Sequence, residues 1–286
     1  MEFKIREDQR SKHIMIDLND FDEAITFIKK NDCNGLFIRS VLGKEEVVPD
    51  FSRLKEIADK LIWLSFSTSQ TLKKAENFDD IYSLKKLKYL FFNDKEKFSL
   101  DLPKFSNLIQ LGMGEYWEGL VNLDKAVSLE TLVLSKYPKD DLSMLAGLSK
   151  LETLHVNNSK IRSLDGIEKL SKLNWLGLAI DQSLTDIKAL FSVKSLRILS
   201  IEKCKHLMEA AVFNKTLPLQ EFKIDTIDSL SFVQHMPALE KINFGDCKDG
   251  DLAPLLKAPK LKQVVFADKK NYSHKKADIE KQLKGR

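Results

Sequence analysis

From residue 61 onward one short pattern of apolar positions recurs: an apolar residue, two variable residues, a second apolar residue, one variable, and a third. It reads Leu61/Leu64/Phe66, then Leu87/Leu90/Phe92 and Leu108/Leu111/Met113, and it ends as Leu261/Val264/Phe266. The chain carries ten copies, mostly 20 to 23 residues apart. Self-similarity at this period predicts a solenoid, in which each unit buries its apolar face only against its neighbours. Within a copy, alternation in steps of two predicts a strand. Between copies the apolar residues step in threes, as in Ile161, Leu164, Ile167, Leu170 and Leu173. That spacing suits a 3₁₀ turn, whose side chains eclipse at i and i+3. Each repeat is therefore predicted as a short strand, a bend, and a 3₁₀ or short helical return.

Residues 1–58 read differently and are assigned as an N-terminal α/β capping region. His13–Leu18 alternates like a strand. Asp20 with Glu23 has capping-box spacing ahead of Phe21, Ala24, Ile25 and Ile28, which predicts a helix ending near Asn31 or Gly35. Leu36–Ile38 reads as a degenerate strand, and Phe51, Leu54, Ile57 and Ala58 as a second helix. Residues 59–268 form the predicted solenoid. Residues 269–286 form a basic helical cap or tail, with Ser273 as its predicted N-cap and Ile279 and Leu283 on its apolar side.

The segment from Leu151 to Leu196 carries a resemblance to the leucine-rich repeat family, in its internalin-like form of roughly 22 residues per repeat. The resemblance implies an α/β solenoid: a right-handed superhelix with a parallel β-sheet on its concave face and 3₁₀ or short helical returns on its convex face. The chain departs from the family at the bend that follows each strand. Where the family usually has Asn or Cys, it has Tyr116, Tyr137, Ser159, Asp181 and Ile227, among others, and only Cys204 and Cys247 match. The side-chain ladder of that bend is therefore expected to be largely missing, with irregular bends or water in its place.

The apolar positions point inward, so the alternating positions between them face outward. The first outward column includes Trp63, Tyr89, Trp175, Glu221 and Lys241. The second includes Phe91, Gly112, His155 and Lys223, and the third Gly114, Glu202 and Asp225. The early columns are neutral and aromatic; the later ones are charged, with Asp246 close by. Candidate partner-binding residues are therefore Trp63, Tyr89, Phe91, Gly112, Gly114, Trp117, His155, Trp175, Glu202, Glu221, Asp225 and Asp246. The plainer alternative is that each aromatic covers its neighbour's backbone while the charges only solvate the face. Gly112 and Gly114 are read as a dent beside an aromatic loop that a partner residue could enter. They lack the third glycine and following helix of a nucleotide loop.

Composition narrows the function classes. The chain has 46 basic and 42 acidic residues, a net charge of +4, without a clustered basic face, so no nucleic-acid partner is expected. The N-terminus shows no secretory signal, and no apolar run reaches membrane-spanning length. A cytoplasmic, monomeric protein without a membrane partner is expected. Three scattered cysteines fit reduced, buried thiols. No catalytic motif, cofactor loop or metal-ligand spacing is present in the sequence. The expected function is non-enzymatic protein binding on the concave face, in its narrower form an inhibitor or toxin-immunity protein facing a basic enzyme. The alternative is a substrate-recognition subunit of an enzyme complex.

Overall fold

The computed structural model describes residues 3–39, 48–67 and 75–285. It falls into two compact units, Met1–Leu134 and Ser135–Arg286.

In the first unit the strands are β1 (Arg6–Glu7), β2 (Lys12–Asp17), β3 (Gly35–Arg39), β4 (Trp63–Ser67), β5 (Tyr89–Phe92), β7 (Gln110–Met113) and β9 (Thr131–Ser135). They are hydrogen-bonded in that order, antiparallel between β1 and β2 and parallel thereafter. Two further short strands, β6 (Leu100–Asp101) and β8 (Leu120–Val121), pair in a separate ladder. Ile14, Leu36, Leu64, Leu90, Leu111 and Leu132 stand in one inward row, each at most 1% exposed. Thus β2 and β3, which lack the full sequence phrase, belong to the same parallel ladder as the repeats.

The predicted helix on Phe21, Ala24, Ile25 and Ile28 is α1 (Phe21–Lys30), with all four residues buried. Its predicted capping box does not form. Asp20 makes no side-chain cap, while Asp17 caps the 3₁₀ turn Leu18–Asp20 by accepting the Asn19 N–H. The helix predicted around Phe51 is a 3₁₀ turn, Phe51–Ile57. Its apolar residues at 51, 54 and 57 step in threes, which a 3₁₀ turn stacks on one edge and an α-helix would not.

The second unit repeats the architecture with β10 (Thr153–Asn157), β11 (Trp175–Ala179), β12 (Ile198–Glu202), β13 (Glu221–Ile227), β14 (Lys241–Cys247) and β15 (Gln263–Val265), all parallel and in sequential order. The inward row Leu154, Leu176, Leu199, Phe222, Ile242 and Val264 has no exposed surface. The returns are 3₁₀ turns such as Ile167–Lys169, Lys188–Ser192 and Ser231–His235. The chain ends in α2 (Lys276–Lys284), which buries Ile279 and Leu283. Ser273 is not its N-cap; its hydroxyl accepts the Leu252 N–H of the preceding return instead.

The bends that follow β9, β10, β11 and β12 are regular, contrary to expectation. Lys136, Asn158, Ile180 and Lys203 occupy equivalent places just beyond a strand, and each has a left-handed φ between 48° and 59°. The first three donate their N–H to the end of the next strand, at Asn157, Ala179 and Glu202. Lys203 donates to the Asp225 carboxylate. The next residue but one after each strand turns inward: Tyr137, Ser159, Asp181 and Cys204 are all buried. Asp181 Oδ1 accepts both the Ser159 N–H, at 2.7 Å, and the Ser159 hydroxyl. A side-chain link between repeats therefore survives with different chemistry.

Two stability predictions follow from this packing. Leu154→Ala should cost about 2–5 kcal/mol in chemical denaturation, as a core truncation, while Trp175→Ala, at a half-buried outward site, should cost clearly less. The second concerns Asp181, which is fully buried with Oδ2 lacking any partner among the described residues. Burial raises its pKa above 3.8, although the Ser159 hydrogen bonds pull the other way. The folded state then holds a proton that the unfolded chain releases. The associated stability is present below the unfolded pKa and is lost as pH rises through the folded one. Asp181→Asn should flatten this decline in denaturant midpoints measured from about pH 4 upward.

Candidate functional site

The outward face of the first unit is set by the ladder. Trp63 pairs with Tyr89, Ser65 with Phe91, and Phe91 with Gly112. The same rows run back through His13, Gly35 and Trp63, and through Met15, Phe37 and Ser65. Met15 and Phe37 were absent from the sequence-derived candidates, because their strands lack the repeat phrase. The only signal for them was the alternation around Ile14–Ile16 and Leu36–Ile38. Met15, Phe37, Trp63, Tyr89 and Phe91 are all half-buried and adjacent.

These side chains brace one another. His13 and Trp63 have ring centres 4.9 Å apart, and Trp63 meets Phe91 edge-on at 6.1 Å. Small residues at Gly35, Ser65 and Gly112 stand beside the large ones in both rows. The bare backbone at Gly112 is covered by the Phe91 ring, since a Cβ there would lie 2.4 Å from Phe91 Cδ1. The expected dent at Gly112 is therefore filled from within the chain. Gly114 is exposed, and a Cβ on it would lie 2.2 Å from the Asn93 carbonyl oxygen. Its lack of a side chain serves strand-to-strand approach.

Trp117 corrects the sequence reading. It is 2% exposed, donates its Nε1–H to the Phe98 carbonyl at 3.0 Å, and packs edge-on against Phe92 and Phe98. It extends an interior aromatic row through Phe51, Phe66 and Phe92, so it faces no partner.

In the second unit the rows place His155 beside Gly177, and Trp175 next to Ile198. The Trp175 ring folds over Gly177, where a Cβ would come within 2.3 Å of it, and lies 4.0 Å from the His155 ring. Burial lowers the His155 pKa, which keeps the imidazole neutral near pH 7.

The charged half is less available than its sequence suggests. Glu221 is paired with Lys241 at 2.8 Å. Asp246 holds Lys269 at 2.6 Å and accepts the Tyr272 hydroxyl, and the Lys269 ammonium lowers its pKa. Asp225 accepts the N–H groups of Lys203 and Thr226. Glu202 is exposed, with Lys203 at 4.0 Å. These carboxylates mainly tie neighbouring strands and the C-terminal segment together.

Among the described residues no cluster of His, Cys, Asp and Glu could hold a metal ion, and no helix is long and apolar enough to cross a membrane. Cys33, Cys204 and Cys247 are free and buried. Burial pushes the Cys204 thiol up to about 11 and the Cys247 thiol up to about 12, so neither is a thiolate nucleophile at neutral pH.

No family model and no curated protein matches the chain. Among solved structures, an internalin from Listeria monocytogenes is 18% identical, with 82% of this chain and 75% of that one covered and a TM-score of 0.49. A leucine-rich-repeat protein of Leptospira interrogans is 14% identical, with 79% and 72% covered and a TM-score of 0.43.

The two glycines should respond differently to a methyl group. Gly114→Ala forces backbone apart and should destabilise by about 1–3 kcal/mol. Gly112→Ala meets only a ring that can swing aside, so its thermal unfolding should shift less.

Proposed function

We propose that this leucine-rich-repeat solenoid is a non-enzymatic protein-binding scaffold whose contact surface is the outward sheet face of its first unit. The observation that carries this reading is the contiguous set Met15, Phe37, Trp63, Tyr89 and Phe91, half-buried on adjacent strands. Aromatic side chains dominate the energetic centres of interfaces. Rings already braced by neighbours lose little conformational freedom when a partner lands on them. Free, buried thiols fit a reducing compartment, which supports a cytoplasmic setting.

A narrower role as an inhibitor or immunity protein needs an acidic-aromatic strip that faces a basic enzyme. Glu221 and Asp246 already have lysine partners, so that partner would have to displace internal ion pairs. The aromatic face is the better-supported surface, and it serves a substrate-recognition subunit equally well.

The test is quantitative affinity capture from the native source, read by mass spectrometry. Trp63→Ala and Phe91→Ala should each weaken capture of the same partner by about tenfold or more while leaving a cooperative melt. Equal capture by wild type and both variants would sink the assignment of this face.

A further inference from the structure

The charges around the aromatic face are mainly positive. Arg6 on β1 is the register partner of His13, and antiparallel partners share a face, so Arg6 extends the first outward row. Arg10 reaches over Tyr89, with its guanidinium 5.8 Å from the ring centre. Arg39 ends β3 on the same face. All three are exposed. Among the described residues the arginines in ion pairs are Arg53 and Arg162, so none of these three is held in one, although the charge of Arg10 helps lower the pKa of nearby Asp8, whose carboxylate mainly accepts the Arg10 and Ser11 N–H groups. Asp17 is the sole carboxylate in the outward rows of β2 to β9. It stands in register with Arg39 yet makes no ion pair with it, because one oxygen caps Asn19 and the other is buried.

We propose that this face docks an acidic protein segment. An aliphatic or aromatic side chain of that segment seats along Met15, Phe37 and Phe91, and its carboxylates are taken by Arg6, Arg10 and Arg39. The inference rests on the scaffold reading and adds the chemistry of the partner. Guanidinium groups present a planar fork that matches a carboxylate in two parallel hydrogen bonds. Three such groups around an apolar strip set both the sign and the anchor type of the complementary surface. Single-stranded nucleic acid would also meet cations and rings, but it needs flat ring faces for its bases. Here the rings are tilted against one another, at 60° for His13 and Trp63 and 65° for Trp63 and Phe91.

Selection of random peptides displayed on phage against the full chain tests this. Enriched peptides should combine Asp or Glu with a large apolar residue. A synthetic version should lose about tenfold in affinity when the salt is raised from about 50 to 500 mM. The variant Arg6→Glu/Arg10→Glu/Arg39→Glu should lose at least as much, and it alters only exposed side chains, so a wild-type melt is expected. Phe91→Ala should weaken the same peptides. Uncharged or basic peptides that depend on Phe91 but not on the arginines would overturn the inference and leave the scaffold reading standing. Peptides insensitive to both sets of substitutions, or no enrichment at all, would overturn the two together. Tighter binding of oligothymidylate than of any peptide at physiological salt would replace the acidic segment with nucleic acid.

Discussion

Everything in this molecule depends on residue-by-residue register between parallel strands. A strand has a side-chain period of two, so a slip of one residue would turn a whole apolar row outward. The rows through Leu64, Leu90 and Leu111 and through Leu176, Leu199 and Phe222 hold that register, because each member is buried only if its neighbours stay aligned. The 3₁₀ returns fill the other side of the core with apolar residues at steps of three, and the left-handed residues Lys136, Asn158 and Ile180 pass a backbone hydrogen bond from one repeat to the next.

The same register builds the outward surface. Once Phe91 is in line with Gly112, and Trp175 is one residue pair away from Gly177, the rings have bare backbone beside them to lie on. An aromatic residue on a sheet face is then partly buried by the protein itself. This reconciles two descriptions of these residues that are alternatives only when the sequence is considered alone. The rings do cover neighbouring backbone, and they also leave a braced apolar surface.

Charge is distributed differently in the two units. In the second, Glu221, Asp225 and Asp246 are used to tie strands and the C-terminal segment. In the first, Arg6, Arg10 and Arg39 stand around an apolar strip outside any ion pair among the described residues, with Asp8 near Arg10 engaged chiefly by backbone N–H groups. Formal charge counted along the sequence points to the second unit as the charged recognition surface. Pairing in space reverses that, because a carboxylate already facing an ammonium group offers little field to a partner.

By itself the sequence determined the repeat, its strand phrase, the inward rows, the 3₁₀ character of the returns and the outward positions of Trp63, Tyr89, Phe91, His155 and Trp175. These follow from periodicity, which is a local property of the chain. Tertiary structure decided the rest. It drew β2 and β3 into the same ladder, adding Met15 and Phe37 to the aromatic face, although neither strand carries the full phrase. It moved Trp117 into the core, because Phe92 and Phe98 form a slot with a carbonyl acceptor for its indole. It also decided which charges are free, since ion pairs such as Lys269 with Asp246 join residues 23 positions apart that only the stacking of repeats brings together. Periodicity specifies which face a residue takes; only packing specifies what waits for it there.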